Sequence, residues 1–177
     1  MLDIRIKLKS VCSYSLSHVI LLSLILVFPI LCTADEIERH GDAYVIYLSG
    51  ELNFNDVVSS LENEIVSENW QVVDHLDIGA AVKEFGKHTE NRVVSVCKTQ
   101  YLARAIEEDP FISLIIPCRF TVFRESIEKS QQSRIVVGFY DPVAEASGLN
   151  LKQAQAAEIA TNELKAILHR MAEIYQE

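Results

Sequence analysis

Cys97 and Cys118 are the residues of this chain best placed to carry chemistry. The chain has four cysteines, but Cys12 and Cys32 lie in an N-terminal stretch that reads as removable. A surviving thiol pair has three readings. It can form a disulfide, which would close a loop of about 20 residues and stabilise by roughly 3 kcal/mol. It can remain as two separate core thiols, inert because apolar surroundings raise a thiol pKa. Or it can serve as a redox or metal-binding pair. The spacing is not CxxC, so a thioredoxin-like motif is lacking. The residues leave all three readings open.

Other chemistries find little support. His40, His75, Asp77 and His88 are available, but none has a ligand spacing with a cysteine. His75 and Asp77 sit on alternate strand positions and so share a face. There is no GxSxG elbow, no HExxH and no phosphate-cradling glycine loop. The expectation is no catalytic residue, no metal and no cofactor. Tyr44, Tyr47, Trp70 and Tyr140 can line a pocket, a core or an interface.

The elements that position these residues follow from pattern. Ala43 to Leu48 is β-branched and aromatic and predicts a first strand after a polar leader. Asn53 can cap a helix over 54–68, whose Val58, Leu61 and Ile65 recur at helical spacing. A strand over 70–77, a short helix over 78–85 and a strand over 92–97 follow. Residues 98–108 read as a helix that Pro110 ends. Phe111 to Phe123 reads as one long strand, apolar on both faces and so central or at an interface. A polar turn leads to a strand over 134–140. Asn150 and Gln153 form a capping-box arrangement. It opens a helix of about 25 residues with a stripe through Ala157, Thr161, Leu164, Leu168, Met171 and Tyr175.

The N-terminus adds an address. Three basic residues precede Val19 to Leu31, a run of 13 without charge, followed by Cys32-Thr33-Ala34. This order predicts a secretory signal peptide over residues 1–34, cleaved near Ala34; an uncleaved N-terminal anchor and a lipoprotein acylated at Cys32 are the alternatives. The apolar run is short of the roughly 20 residues that a spanning helix needs. Cleavage removes three of 16 basic and one of 25 acidic residues, taking the net charge from −9 to −11. It also leaves two cysteines in an oxidising compartment. A chain this acidic is a poor match for phosphate backbones, so no nucleic-acid partner is expected. Arg119, Arg124, Lys129 and Arg134 read as a solvated hairpin face.

The central block is recognisable. Val96-Cys97-Lys98-Thr99-Gln100-Tyr101-Leu102-Ala103-Arg104-Ala105-Ile106, then Asp109-Pro110, Leu114-Ile115-Ile116-Pro117-Cys118 and Tyr140-Asp141-Pro142, resembles domain-of-unknown-function family 302. The resemblance runs from about Asn53 to Met171. It implies a small α+β domain, often dimeric, and no particular reaction. Where that family commonly has Asn-Pro after its first cysteine, this chain has Lys98-Thr99. Only Cys97 and Cys118 carry over, with Pro110 and Pro117 as structural companions.

The expectation is therefore an α+β two-layer sandwich. It has a single mixed sheet of about five strands, helices on one face and a long C-terminal helix. Residues 35–52 supply a leader and first strand, and residues 53–177 the domain. The expected role is an exported periplasmic or envelope module that binds a small ligand or an envelope protein without catalysis. A homodimer is expected, with no stable membrane span after cleavage. The alternatives are a thiol-dependent redox enzyme or sensor and a metal-binding protein. Tyr101, Pro117, Phe120 and Tyr140 are the candidate pocket or interface residues beside the two thiols.

Overall fold

A computed structural model describes residues 37–127, 132–149, 151 and 154–176, all within one compact unit, Asp35–Glu177. The signal peptide expected over residues 1–34 lies outside the described residues, as do Asn150 and Gln153 of the expected capping box. The chain runs β1 (Glu38–His40), β2 (Ala43–Ser49), α1 (Phe54–Ser67), β3 (Gln71–Asp77), α2 (Ile78–Lys83) and β4 (Asn91–Cys97). It continues through α3 (Thr99–Glu108), a 3-10 turn (Pro110–Leu114), β5 (Cys118–Ser126), β6 (Ser133–Tyr140), α4 (Pro142–Gly148) and α5 (Ala154–Gln176). The α+β class is as expected, with one sheet and a long C-terminal helix.

The sheet has six strands in the order β1-β2-β6-β5-β4-β3, and every neighbouring pair is antiparallel. The expected mixed sheet of about five strands is corrected on both counts. Glu38–His40, expected as a polar leader, folds back on β2 as an edge strand across Gly41, whose φ of 61° suits glycine. No parallel pair forms because α1 carries the chain from β2 to the far side of the sheet. The later strands β4, β5 and β6 then fill the space between β2 and β3.

The expected strand over 111–123 is also corrected. Its first part is the 3-10 turn, and the strand begins only at Cys118. The cause is local: the Asp109 carboxylate accepts from the Phe111 amide at 3.1 Å, and the Ser113 hydroxyl donates to the Pro110 carbonyl at 2.8 Å. An unbroken apolar run has no period to show this, because buried strand and buried helix read alike. The expectation of a central strand does hold for β5, between β4 and β6. Helix α4 is an addition to the expected elements, although Asp141 before Pro142 is a cap followed by a first-turn proline.

Asn53 caps α1 as expected, its Oδ1 accepting from the Asn55 and Asp56 amides at 2.9 and 3.3 Å. Helices α1 and α5 cover one face of the sheet. Val57, Leu61 and Ile65 of α1 meet Leu164, Ile167, Leu168 and Met171 of α5 over Ile46, Val94, Phe120 and Val137. Each such side chain contributes about 1.5–3 kcal/mol by leaving water. Phe120 stacks edge-on against Phe139 at 5.5 Å between ring centres. The opposite face is a shallow groove of about 370 Å³, bounded by Val45, Tyr47, Thr121, Phe123, Val136 and Tyr140. Among the described residues no helix is long and apolar enough to cross a membrane.

Candidate functional site

An apolar cavity opens at the Cys97 end of β4. Its floor is Val96, Cys97 and Cys118 from the sheet. One wall is Tyr101, Leu102 and Ala105 of α3, continued by Ile112, Ile115 and Ile116 around the 3-10 turn. The facing wall is the alanine edge of α5, Ala156, Ala157 and Ala160, with Pro142 beside it. Small side chains on α5 are the reason that space remains: no side chain there is long enough to fill it. The centres of water-sized spheres have about 60 Å³ of room, enough for several waters or a short hydrocarbon group.

The polar atoms at this site converge on Glu163 of α5. Lys98 donates from Nζ to Oε2 at 2.8 Å, and the Trp70 indole donates to the same oxygen at 2.9 Å. The Tyr101 hydroxyl donates to Oε1 at 2.7 Å. Lys98 also reaches the Glu68 carbonyl at 3.0 Å, and its ammonium lies 5.2 Å from the Tyr101 ring centre. Burial alone would raise the Glu163 pKa, but the hydrogen bonds from Lys98, Tyr101 and Trp70 outweigh it and hold the carboxylate low. Accepting from Tyr101 in turn raises the tyrosine. Glu163 is thus a fixed anion, unsuited to delivering a proton at neutral pH.

Asp141 braces the far wall. Its Oδ1 accepts from the Val143 amide at 3.0 Å and the Thr161 hydroxyl at 2.8 Å, and its Oδ2 from Arg39 at 3.2 Å. One buried carboxylate so ties β1, α4 and α5 together and seats Pro142 at the cavity.

The two cysteines both border the cavity, and both are free. Val96, not Cys97, is the register partner of Cys118, so the two thiols sit one residue out of step on neighbouring strands while both reach the cavity. Burial pushes the Cys118 thiol up to about 12, with the Glu145 carboxylate adding to the effect. Burial also raises Cys97. Glu145 itself is raised by burial, against the pull of Arg119 at 3.1 Å.

The other expected site residues disperse. Tyr101 is at the cavity. Phe120 is wholly buried in the core beneath it, and Pro117 follows Ile116 through a cis peptide next to the lining. Tyr140 lies on the open face, its hydroxyl donating to Asp42 at 3.2 Å. His75 meets Glu62 of α1 at 3.5 Å, and Asp77 caps α2 while pairing with Arg92. Among the described residues no three His, Cys, Asp or Glu side chains gather as metal ligands.

Glu163 and its Lys98 contact are additions to the expected site. A signal for them exists in the sequence: Ala156, Ala160, Glu163 and Ile167 follow steps of four, three and four, so a charge interrupts an apolar line. Lys98, directly after β4, supplies the counter-charge.

The comparisons bear on this architecture. A family model described as "Domain of unknown function DUF302" matches residues 46–173. The chain belongs to that family. The match takes in the cavity floor, both cysteines, Lys98 and Glu163. A solved structure of an uncharacterized conserved DUF302 protein from Bacillus stearothermophilus is similar, at 21% identity and a TM-score of 0.65. The alignment covers 75% of this chain and 99% of that one, and at this identity it shows the DUF302 fold alone. A search of curated proteins found no match.

Proposed function

We propose that this DUF302 protein is a non-catalytic binding module of the cell envelope that takes a small apolar ligand, or an apolar group of a larger one, into the cavity beside Trp70. One observation carries the reading: an apolar cavity stands open while the polar groups next to it are already satisfied by one another through Glu163. Such a site gains from excluding water, and burial raises both of its free thiols, which makes them poor nucleophiles. The basic, apolar and small-residue order of residues 1–34 supports export to the periplasm or envelope.

Trp70 is the only tryptophan in the chain, so its fluorescence reports on the cavity directly. Titration with 1-bromobutane, a heavy-atom quencher, is expected to quench Trp70 saturably. Burying four carbons is worth about 3 kcal/mol, which gives a Kd of roughly 5 mM. Ala157→Leu extends a side chain into the space and is expected to weaken that quenching at least fivefold. Linear quenching, identical in the two proteins, would sink the reading.

We also propose that a second copy of the chain covers the open sheet face. On a chain of net charge −9, that face balances its own charges: Arg134 pairs with Glu125 at 2.6 Å and lies 3.7 Å from the Tyr47 ring centre. Like-charged copies can therefore meet there around Tyr47, Phe123 and Tyr140 with less local repulsion than elsewhere on the surface. Light scattering is expected to give twice the monomer mass, and Tyr140→Arg, at an exposed position of that face, to halve it. A wild-type monomer at 100 µM overturns the dimer.

A further inference from the structure

We propose that the groove at the opposite end of β4 is a second binding site, for a polyhydroxylated anion of the sugar-phosphate class. Asn91 begins β4 and Cys97 ends it, so this groove lies about 20 Å from the cavity along the strand. The two readings can therefore fail separately. The groove runs between α2, the 87–92 segment and the end of β5, with about 690 Å³ of room. Ligand sites for small molecules occupy this size range, and inorganic phosphate alone would leave most of it empty.

Its charge runs against the rest of the molecule. Lys83, Lys87, Arg92 and Arg124 line it, against two carboxylates, Asp77 and Glu90, in a chain of net charge −9. The carboxylates are engaged: Asp77 caps α2 and pairs with Arg92 at 2.7 Å, and Glu90 pairs with Arg124. Arg124 also donates from Nη1 and Nη2 to the Gly50 and Leu52 carbonyls, which fixes its charge at the groove. Lys83 and Lys87 are exposed, and their ammonium groups have no hydrogen-bond or ion-pair partner among the described residues. Two free ammonium groups on one side of a concave surface suit a doubly charged oxyanion.

The hydroxyl half of the ligand follows from the two carboxylates that line the groove. Asp77 is held by Arg92 and Glu90 by Arg124, and each keeps lone pairs that can accept from ligand hydroxyls. An anion without hydroxyls leaves those acceptors to water.

Calorimetric titration of the folded protein with glucose 6-phosphate tests the assignment, with glucose and inorganic phosphate as parallel arms. The ester is expected to bind saturably at one site, more tightly than either arm, and to weaken as salt rises from about 50 to about 500 mM. The double variant K83E/K87E changes only exposed side chains, and circular dichroism checks that it folds. It is expected to weaken ester binding at least tenfold. Glu90→Ala is expected to weaken the ester relative to the inorganic phosphate arm, because it removes hydroxyl acceptors and no cation. Unchanged affinity in K83E/K87E overturns the site. Inorganic phosphate binding as tightly as the ester overturns the sugar-phosphate class, and so does glucose doing so.

Discussion

Glu163→Ala is expected to lower the stability of the fold by about 3 kcal/mol, as read by urea unfolding. Removing one partner of a largely buried ion pair costs about 3–5 kcal/mol, because the other charge stays behind unpaired. Lys98 is that charge, with only 10% of its side chain exposed. The lower end of the range applies because the Glu163 side chain is 24% exposed and Lys98 keeps the Glu68 carbonyl. The indole of Trp70 and the hydroxyl of Tyr101 lose their acceptor in the same substitution. Glu163→Gln keeps the shape and an acceptor oxygen and is expected to cost less.

The pH dependence gives a second readout. The folded pKa of Glu163 lies below the ordinary 4.5. Its contribution is therefore fully present above pH 4.5 and is lost as pH falls through the folded value. Wild-type stability should fall below pH 4.5 more steeply than that of Glu163→Gln. Equal slopes in the two proteins, with a loss under about 1 kcal/mol for Glu163→Ala, would show that the cluster holds nothing in place.

Cys118 is expected to react with iodoacetamide at least a thousandfold more slowly than an ordinary exposed thiol at pH 8. The thiolate is the reacting species. Raising a thiol from 9.0 to about 12 cuts the thiolate fraction at that pH by roughly a thousandfold. Burial then adds a barrier of access. Cys97, less deeply placed, is expected to react faster than Cys118 but below the ordinary rate. Peptide mapping by mass spectrometry after timed labelling separates the two sites. In urea both should label at similar rates. Fast labelling of Cys118 in the folded protein would revive the thiol-dependent reading. A disulfide-linked Cys97–Cys118 peptide would refute the assignment of two free thiols.

Local physics was largely legible in the residues. Strands β2, β3, β4 and β6 and helices α1, α3 and α5 lie close to where periods of two and 3.6 place them. Asn53 and Pro110 act within a few residues of themselves, so their roles needed no tertiary information. The misses have local causes too. Phe111 to Phe123 has no period, and the three-residue β1 is too short to show one. The family was also legible, since the Cys97–Ile106 block and the Pro117-Cys118 step are contiguous words.

The thiol pair that opened the sequence reading is where tertiary structure decided most. Spacing left a disulfide, two core thiols and a reactive pair all open. Cys97 lies one residue out of step with the Val96–Cys118 pairing, both thiols are free, and burial keeps Cys118 protonated. The Glu163 cluster was decided in the same way. Its carboxylate meets Tyr101, Lys98 and Trp70 across 62, 65 and 93 residues of chain. No local pattern encodes such a meeting, because it depends on which edge of α5 faces which end of β4. Local pattern therefore determined most of the elements, the Asn53 cap and the family. The packing of α5 against the sheet decided that an apolar cavity, ringed by satisfied polar groups, stands where a reactive thiol pair had been a candidate.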